Sequence, residues 1–205
     1  MKFDEFINKE TWSGGYYELS IEYNPSVDDK RLNDALSALQ MFKFFNGIWK
    51  EKVDYQNKSI SLPILLEVRQ SVEQFYGTLI CKSGTTLPCM ISIIRIEDES
   101  DCLDIGIPLT ALENLYKIEY PLDKEKNPWL KDIDVIFIAI SELIYSKAPY
   151  NLAMIGEEVS GYINHDDITI DAVNNITCIL PIQLQNKLGI QSKGFELTNE
   201  LRIYN

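Results

Sequence analysis

The chain is poor in the residues that most catalytic and metal chemistry needs. Its 205 residues contain one histidine, His165. That excludes multi-histidine zinc sites, which need several imidazoles on one ion. A Ser-His-Asp triad would have to use His165, and no GxSxG elbow accompanies it. Nor is there a glycine-rich phosphate cradle, since neither GxxxxGK[ST] nor GxGxxG occurs, or an EF-hand loop. The four cysteines, Cys81, Cys89, Cys102 and Cys178, show no CxxC spacing. In a chain without a secretion signal they read as reduced, partly buried thiols. No catalytic residue, cofactor or metal ligand is therefore assigned from the sequence.

Positive charge is also scarce: 19 basic residues stand against 31 acidic ones, a net charge of −12. Binding to nucleic acid rests on clustered Lys and Arg and is not expected. Anionic membrane surfaces are disfavoured for the same reason, whereas a negative field suits solubility and cationic partners. No apolar run approaches the ~20 residues that span a bilayer. The longest, Ile133 to Tyr145, is interrupted by Asp134, Ser141 and Glu142. Met1 to Phe6 lacks the basic and apolar regions of a signal peptide. These features lead us to expect a cytoplasmic protein.

What is present is ordinary globular composition, 45% hydrophobic and 24% charged. One α+β domain over residues 1–205 is expected, with a subdomain boundary or exposed loop near 117–128. The best-defined stretch is Trp12 to Phe42. Tyr17, Leu19, Ile21 and Tyr23 alternate with Tyr16, Glu18, Ser20 and Glu22. That pattern predicts a strand with one face on a core and the other in water. After Pro25, Leu32, Ala35, Leu36, Leu39 and Phe42 recur at helical spacing, predicting an amphipathic helix over about 28–43. A second helix is predicted over 129–147, between Pro128 and Pro149. It is apolar nearly all round, as a central helix packed on both sides would be, with a buried strand at Val135–Ile140 as the alternative.

Strands are predicted at 48–53, 75–82, 87–96, 102–107, 151–159 and 176–180, with a last one at 195–203. Short helices are predicted at 108–116, 167–175 and 181–188. The whole reads as a mostly antiparallel mixed sheet packed against two main helices.

Acidic residues are unevenly placed. From Asp132 to Cys178 there are eight (Asp132, Asp134, Glu142, Glu157, Glu158, Asp166, Asp167 and Asp171) against one base, Lys147. Tyr145, Tyr150 and Tyr162 are interspersed. Carboxylates with tyrosines suit docking of a basic protein, charge supplying the on-rate and Tyr the anchors. The candidate binding residues there are Glu157, Glu158, Tyr162, Asp166 and Asp167. In the first half they are Trp12, Tyr16 and Glu18, since Trp12 stands beside two glycines that permit close approach. His165, between Asn164 and Asp166, reads as part of an exposed turn with capping aspartates. The leading expectation is a non-enzymatic inhibitor of immunity or antitoxin type that docks a basic partner. The alternative is a small enzyme or small-molecule-binding domain with a carboxylate-centred pocket near Glu18, Glu22 or Glu157.

Overall fold

The computed structural model describes residues 1–198 and 200–205. Among them, nine strands form one sheet: β1 (Tyr16–Tyr23), β2 (Phe45–Trp49), β3 (Ser71–Ile80), β4 (Thr86–Arg95), β5 (Asp101–Pro108), β6 (Leu152–Glu157), β7 (Thr177–Pro181), β8 (Phe195–Glu196) and β9 (Leu201–Tyr204). Their order is β2-β3-β4-β5-β1-β6-β7-β9-β8, and every pairing is antiparallel. The helices are α1 (Phe3–Ile7), α2 (Asp29–Met41), α3 (Leu109–Glu113), α4 (Leu130–Lys147), α5 (Ile170–Asn175) and α6 (Ile182–Leu188). This is an α+β fold with β1 near its middle. β1 pairs β5 on one side and β6 on the other, so chain from both sides of 117–128 meets in one sheet.

Successive residues of a strand point to opposite faces, and here the two faces differ sharply. Phe75, Ile91, Ile105, Leu19 and Ile155 lie side by side across β3, β4, β5, β1 and β6. This apolar row packs under α2 and α4 in the main core. α2 contributes Leu32, Ala35, Leu36 and Leu39, as its periodicity predicts. α4 contributes Ile133, Ile136, Phe137, Ile140 and Ile144. Residues 135–140 are helical rather than a strand. Asp134, buried in α4, accepts a 2.6 Å hydrogen bond from the Tyr17 hydroxyl and pairs with Lys124 at 2.7 Å.

α2 begins where a side chain satisfies its first free N–H groups. Asp28 Oδ1 accepts from the Arg31 N–H at 3.0 Å. Asp28→Ala is expected to lower stability by about 1 kcal/mol, read by urea denaturation. An unchanged midpoint would mean the cap is dispensable.

Three sequence expectations are corrected. The face of β1 carrying Glu18, Ser20 and Glu22 is buried, not in water. The strand expected at 48–53 lies earlier, at Phe45–Trp49. The final strand is two short ones, β8 and β9.

Candidate functional site

The row beside the apolar one is polar at its centre: Gln74, Ser92, Asp104 and Ser20, ending in Met154 and Cys178. Glu18 and Glu22 flank Ser20 on the same face of β1. Two apolar clusters cover the outer parts of this face. Phe6, Trp49 and Tyr55 with Trp12 and Tyr76 form one. Leu152, Met154, Val159, Ile168, Val173, Cys178, Leu180 and Leu184 belong to the other. Between them the polar floor is covered by residues 158–169, a strap joining β6 to α5.

Carboxylates on the sheet hold the strap. The Ser160 N–H donates to Glu18 Oε1 at 2.7 Å, and the Ser160 hydroxyl donates to Asp104 Oδ2 at 2.7 Å. The His165 N–H donates to Glu22 Oε2 at 2.8 Å, while Nδ1 of its ring lies 2.7 Å from Glu22 Oε1. A carboxylate can only accept, so Nδ1 carries the hydrogen and Nε2 is left free of that bond. The Ser100 hydroxyl also donates to Glu22 Oε1, at 2.7 Å. From α6, Lys187 Nζ reaches the His165 and Asp166 carbonyls at 3.1 Å and Asp166 Oδ1 at 3.2 Å.

Burial sets the protonation of the floor. Glu18 is 6% exposed and its carboxyl is pushed up to about 7, chiefly by desolvation, with Asp104 and Glu158 adding repulsion. The N–H groups of Ser160 and Val159 act in the opposite direction. Asp104, 5% exposed, is also raised by burial, opposed by the Ser20 and Ser160 hydroxyls. Its Oδ1 is buried and has no hydrogen-bond partner.

The strap and the β4–β5 turn (residues 96–100) together border a cavity of about 530 Å³. Its wall includes Glu22, Asp98, Glu99, Asp166 and Asp167, with His165 and Tyr162, and no lysine or arginine. Ser20, Ser100 and Cys102 also line it. Among the described residues no group of three or more metal-binding side chains gathers. A nucleophile paired to His165 is also missing there. The Ser100 hydroxyl goes to Glu22 instead. The Cys102 thiol is pushed well above its ordinary value by burial and by Asp104, Glu22, Asp101 and Glu99, so the reactive thiolate is suppressed.

Of the residues singled out from the sequence, Tyr162, Asp166 and Asp167 line this cavity, and Tyr162 is 63% exposed at its edge. Glu18 lies behind it, under Ser160. Glu158 is a brace: its Oε1 accepts from the Tyr16 N–H at 2.7 Å. Tyr16 leans over Gly106, where any Cβ would meet the ring at 3.0–3.2 Å. Glu157 lines a separate cavity with Lys124, Asn174 and Asn175. Trp12 belongs to the aromatic cluster under β2 and β3, and its Nε1 donates to the Phe6 carbonyl at 2.6 Å.

The eight acids between 132 and 178 do not share one surface. Asp134 is buried in α4 under the apolar face, whereas Asp166 and Asp167 lie on the strap over the opposite face. Tyr145 and Tyr150 are core residues in edge-to-face contact at 4.9 Å. The acidic wall is completed instead by Asp98 and Glu99 from the β4–β5 turn. Asp104, Ser100 and Ser160 join the site although the sequence singles out none of them as a binding residue, and His165 is paired with Glu22 rather than standing in an exposed turn. Polar residues at every second position of two central strands, Glu18-Ser20-Glu22 and Cys102-Asp104, were the available signal. No protein-family model, curated protein or solved structure matches the chain.

Proposed function

We propose that the protein is a binding module that seats a basic side chain of a protein partner in the anionic cavity between the β4–β5 turn and the strap. One observation carries this reading: five carboxylates and an exposed tyrosine surround one cavity that has no lysine or arginine in its wall. Clustered carboxylates favour a guanidinium or ammonium group, and the Tyr162 ring offers a face for a cation. The net charge of −12 supports a basic partner over nucleic acid and supplies long-range attraction. A basic toxin or nuclease, inhibited by being docked, is the partner class that this chemistry suits. No helix among the described residues is long and apolar enough to cross a membrane.

An acetylated arginine-rich peptide serves as the probe, titrated calorimetrically at low and high salt. Asp98→Asn with Glu99→Lys removes charge from the rim without removing the strap's bonds to Glu18, Asp104 or Glu22. That variant is expected to bind about tenfold more weakly, and added salt is expected to weaken wild-type binding. Equal affinity of variant and wild type would sink the reading. A second reading, a small cationic ligand, is favoured by the concavity, since about 530 Å³ falls in the range of small-molecule pockets. Saturation by a free polyamine at concentrations where the peptide fails to bind would select it.

A further inference from the structure

Two buried carboxyl groups, Glu18 on β1 and Asp104 on β5, grip the same strap residue, Ser160, one through its N–H and the other through its hydroxyl. Among the described residues no lysine or arginine pairs with either. The groups facing them are acids and neutral donors: Tyr16 on β1, Asp104 and Cys102 on β5, Glu158 in the strap, and the Ser20, Ser92 and Ser160 hydroxyls. Glu22 and His165 pair with each other farther along the strap. Two unscreened charges on one dry face are costly, and Asp104 Oδ1 is already buried without a partner. A buried carboxyl oxygen in that condition needs a proton or water.

We propose that Glu18 and Asp104 form a proton-operated latch: a proton held by the pair keeps the strap seated, and its loss frees the Ser160 end and lets water reach both carboxyls. The closed strap dehydrates the pair and so retains the proton. An open strap returns both carboxyls to water, where they ionise at ordinary pH. Closure and proton uptake are then linked, and raising the pH shifts the strap towards the open form. The raised titration of Glu18, about 7 against an ordinary 4.5, puts the change within the neutral range. The Ser160 N–H favours the charged carboxylate and opposes release, but desolvation is the larger influence. The strap also walls the anionic cavity, so the latch sets the shape of that cavity. The inference does not depend on what the cavity binds.

Amide hydrogen exchange tests this in the whole protein, with protection factors corrected for the intrinsic pH dependence of exchange. Between pH 5 and pH 8 the protection of the Ser160 amide is expected to fall on the order of fifty- to hundredfold, while amides within β1 keep theirs. In Glu18→Gln, which keeps the acceptor oxygen and cannot ionise, the fall in Ser160 protection is expected to shrink, because only Asp104 is left to titrate. The double variant Glu18→Gln with Asp104→Asn, which leaves neither carboxyl to titrate, is expected to show Ser160 protection independent of pH. Wild-type Ser160 protection that stays constant with pH would overturn the latch. So would a pH-dependent fall that persists unchanged in both variants.

Discussion

Arg95→Ala is expected to cost about 3–5 kcal/mol of stability, lowering the thermal midpoint by about 10 °C for a chain of this size. Arg95 and Asp101 are each 1% exposed. Nε and one terminal nitrogen of the guanidinium meet the two oxygens of Asp101 at 2.8 Å each. That bidentate geometry is the strong form of a carboxylate pair. The other terminal nitrogen lies 2.8 Å from Asp29 Oδ1, off the line of a hydrogen bond, so it acts there as an ion pair. Asp101 also accepts from the Val27 N–H at 2.9 Å. The Arg95–Asp101 pair thus ties β4 to β5, to the 24–28 turn and to the first turn of α2. Removing it leaves Asp101 buried without its counter-charge, and that orphaned charge accounts for most of the cost. Arg95→Met combined with Asp101→Leu is therefore expected to lose less than Arg95→Ala alone. Arg95→Lys is expected to recover only part of the loss, because an ammonium lacks the two-pronged geometry. Urea denaturation at pH 7 reads all three. A loss under 1 kcal/mol for Arg95→Ala would mean that water replaces the pair without penalty.

Local patterns revealed the half of the fold that rests on apolar periodicity. Leu19 and Ile21 alternate with polar neighbours, and Leu32, Leu36 and Leu39 repeat at helical spacing, so their faces followed from the sequence. α4 was legible from its length between two prolines, although Asp134 within it reads as a solvent residue. Its burial depends on Tyr17, Lys124 and the helix meeting in space. The candidate site failed the same test more completely. A strand with Glu18, Ser20 and Glu22 on one face reads as half-solvated under the usual alternation rule. Nothing near those residues shows that Ser160 and His165, more than 140 positions later, fold over them. The cavity wall likewise joins Asp98 and Glu99 to Tyr162, Asp166 and Asp167. Each segment alone looks like a charged surface turn. Long-range closure, not local propensity, makes them a site.

Glu18→Gln is expected to stabilise the protein at pH 8 and leave it unchanged near pH 4. The sign follows from proton binding. The carboxyl of Glu18 ordinarily titrates near 4.5 and in the fold is pushed up to about 7. Between these values the folded chain keeps a proton that the unfolded chain has released. Stability therefore falls as pH rises from about 4.5 to about 7, and the loss persists above. Glutamine carries no charge at any of these pH values, and its oxygen still accepts from the Ser160 N–H. The expected gain at pH 8 is on the order of 2–3 kcal/mol. Other carboxylates give the wild type its own pH slope, so the quantity to compare is the difference between variant and wild type at each pH. Asp104 titrates with Glu18 as a pair. Asp104→Asn is accordingly expected to gain as well, and the double variant to gain less than the sum. Strap opening places a ceiling on all these gains. An ionised pair that escapes into water by releasing Ser160 costs the fold no more than that release. The gain of Glu18→Gln at pH 8 should then not exceed the free energy of strap opening read by exchange at low pH. A variant-minus-wild-type difference that stays flat from pH 4 to pH 8 would show that Glu18 is already ionised in the folded protein.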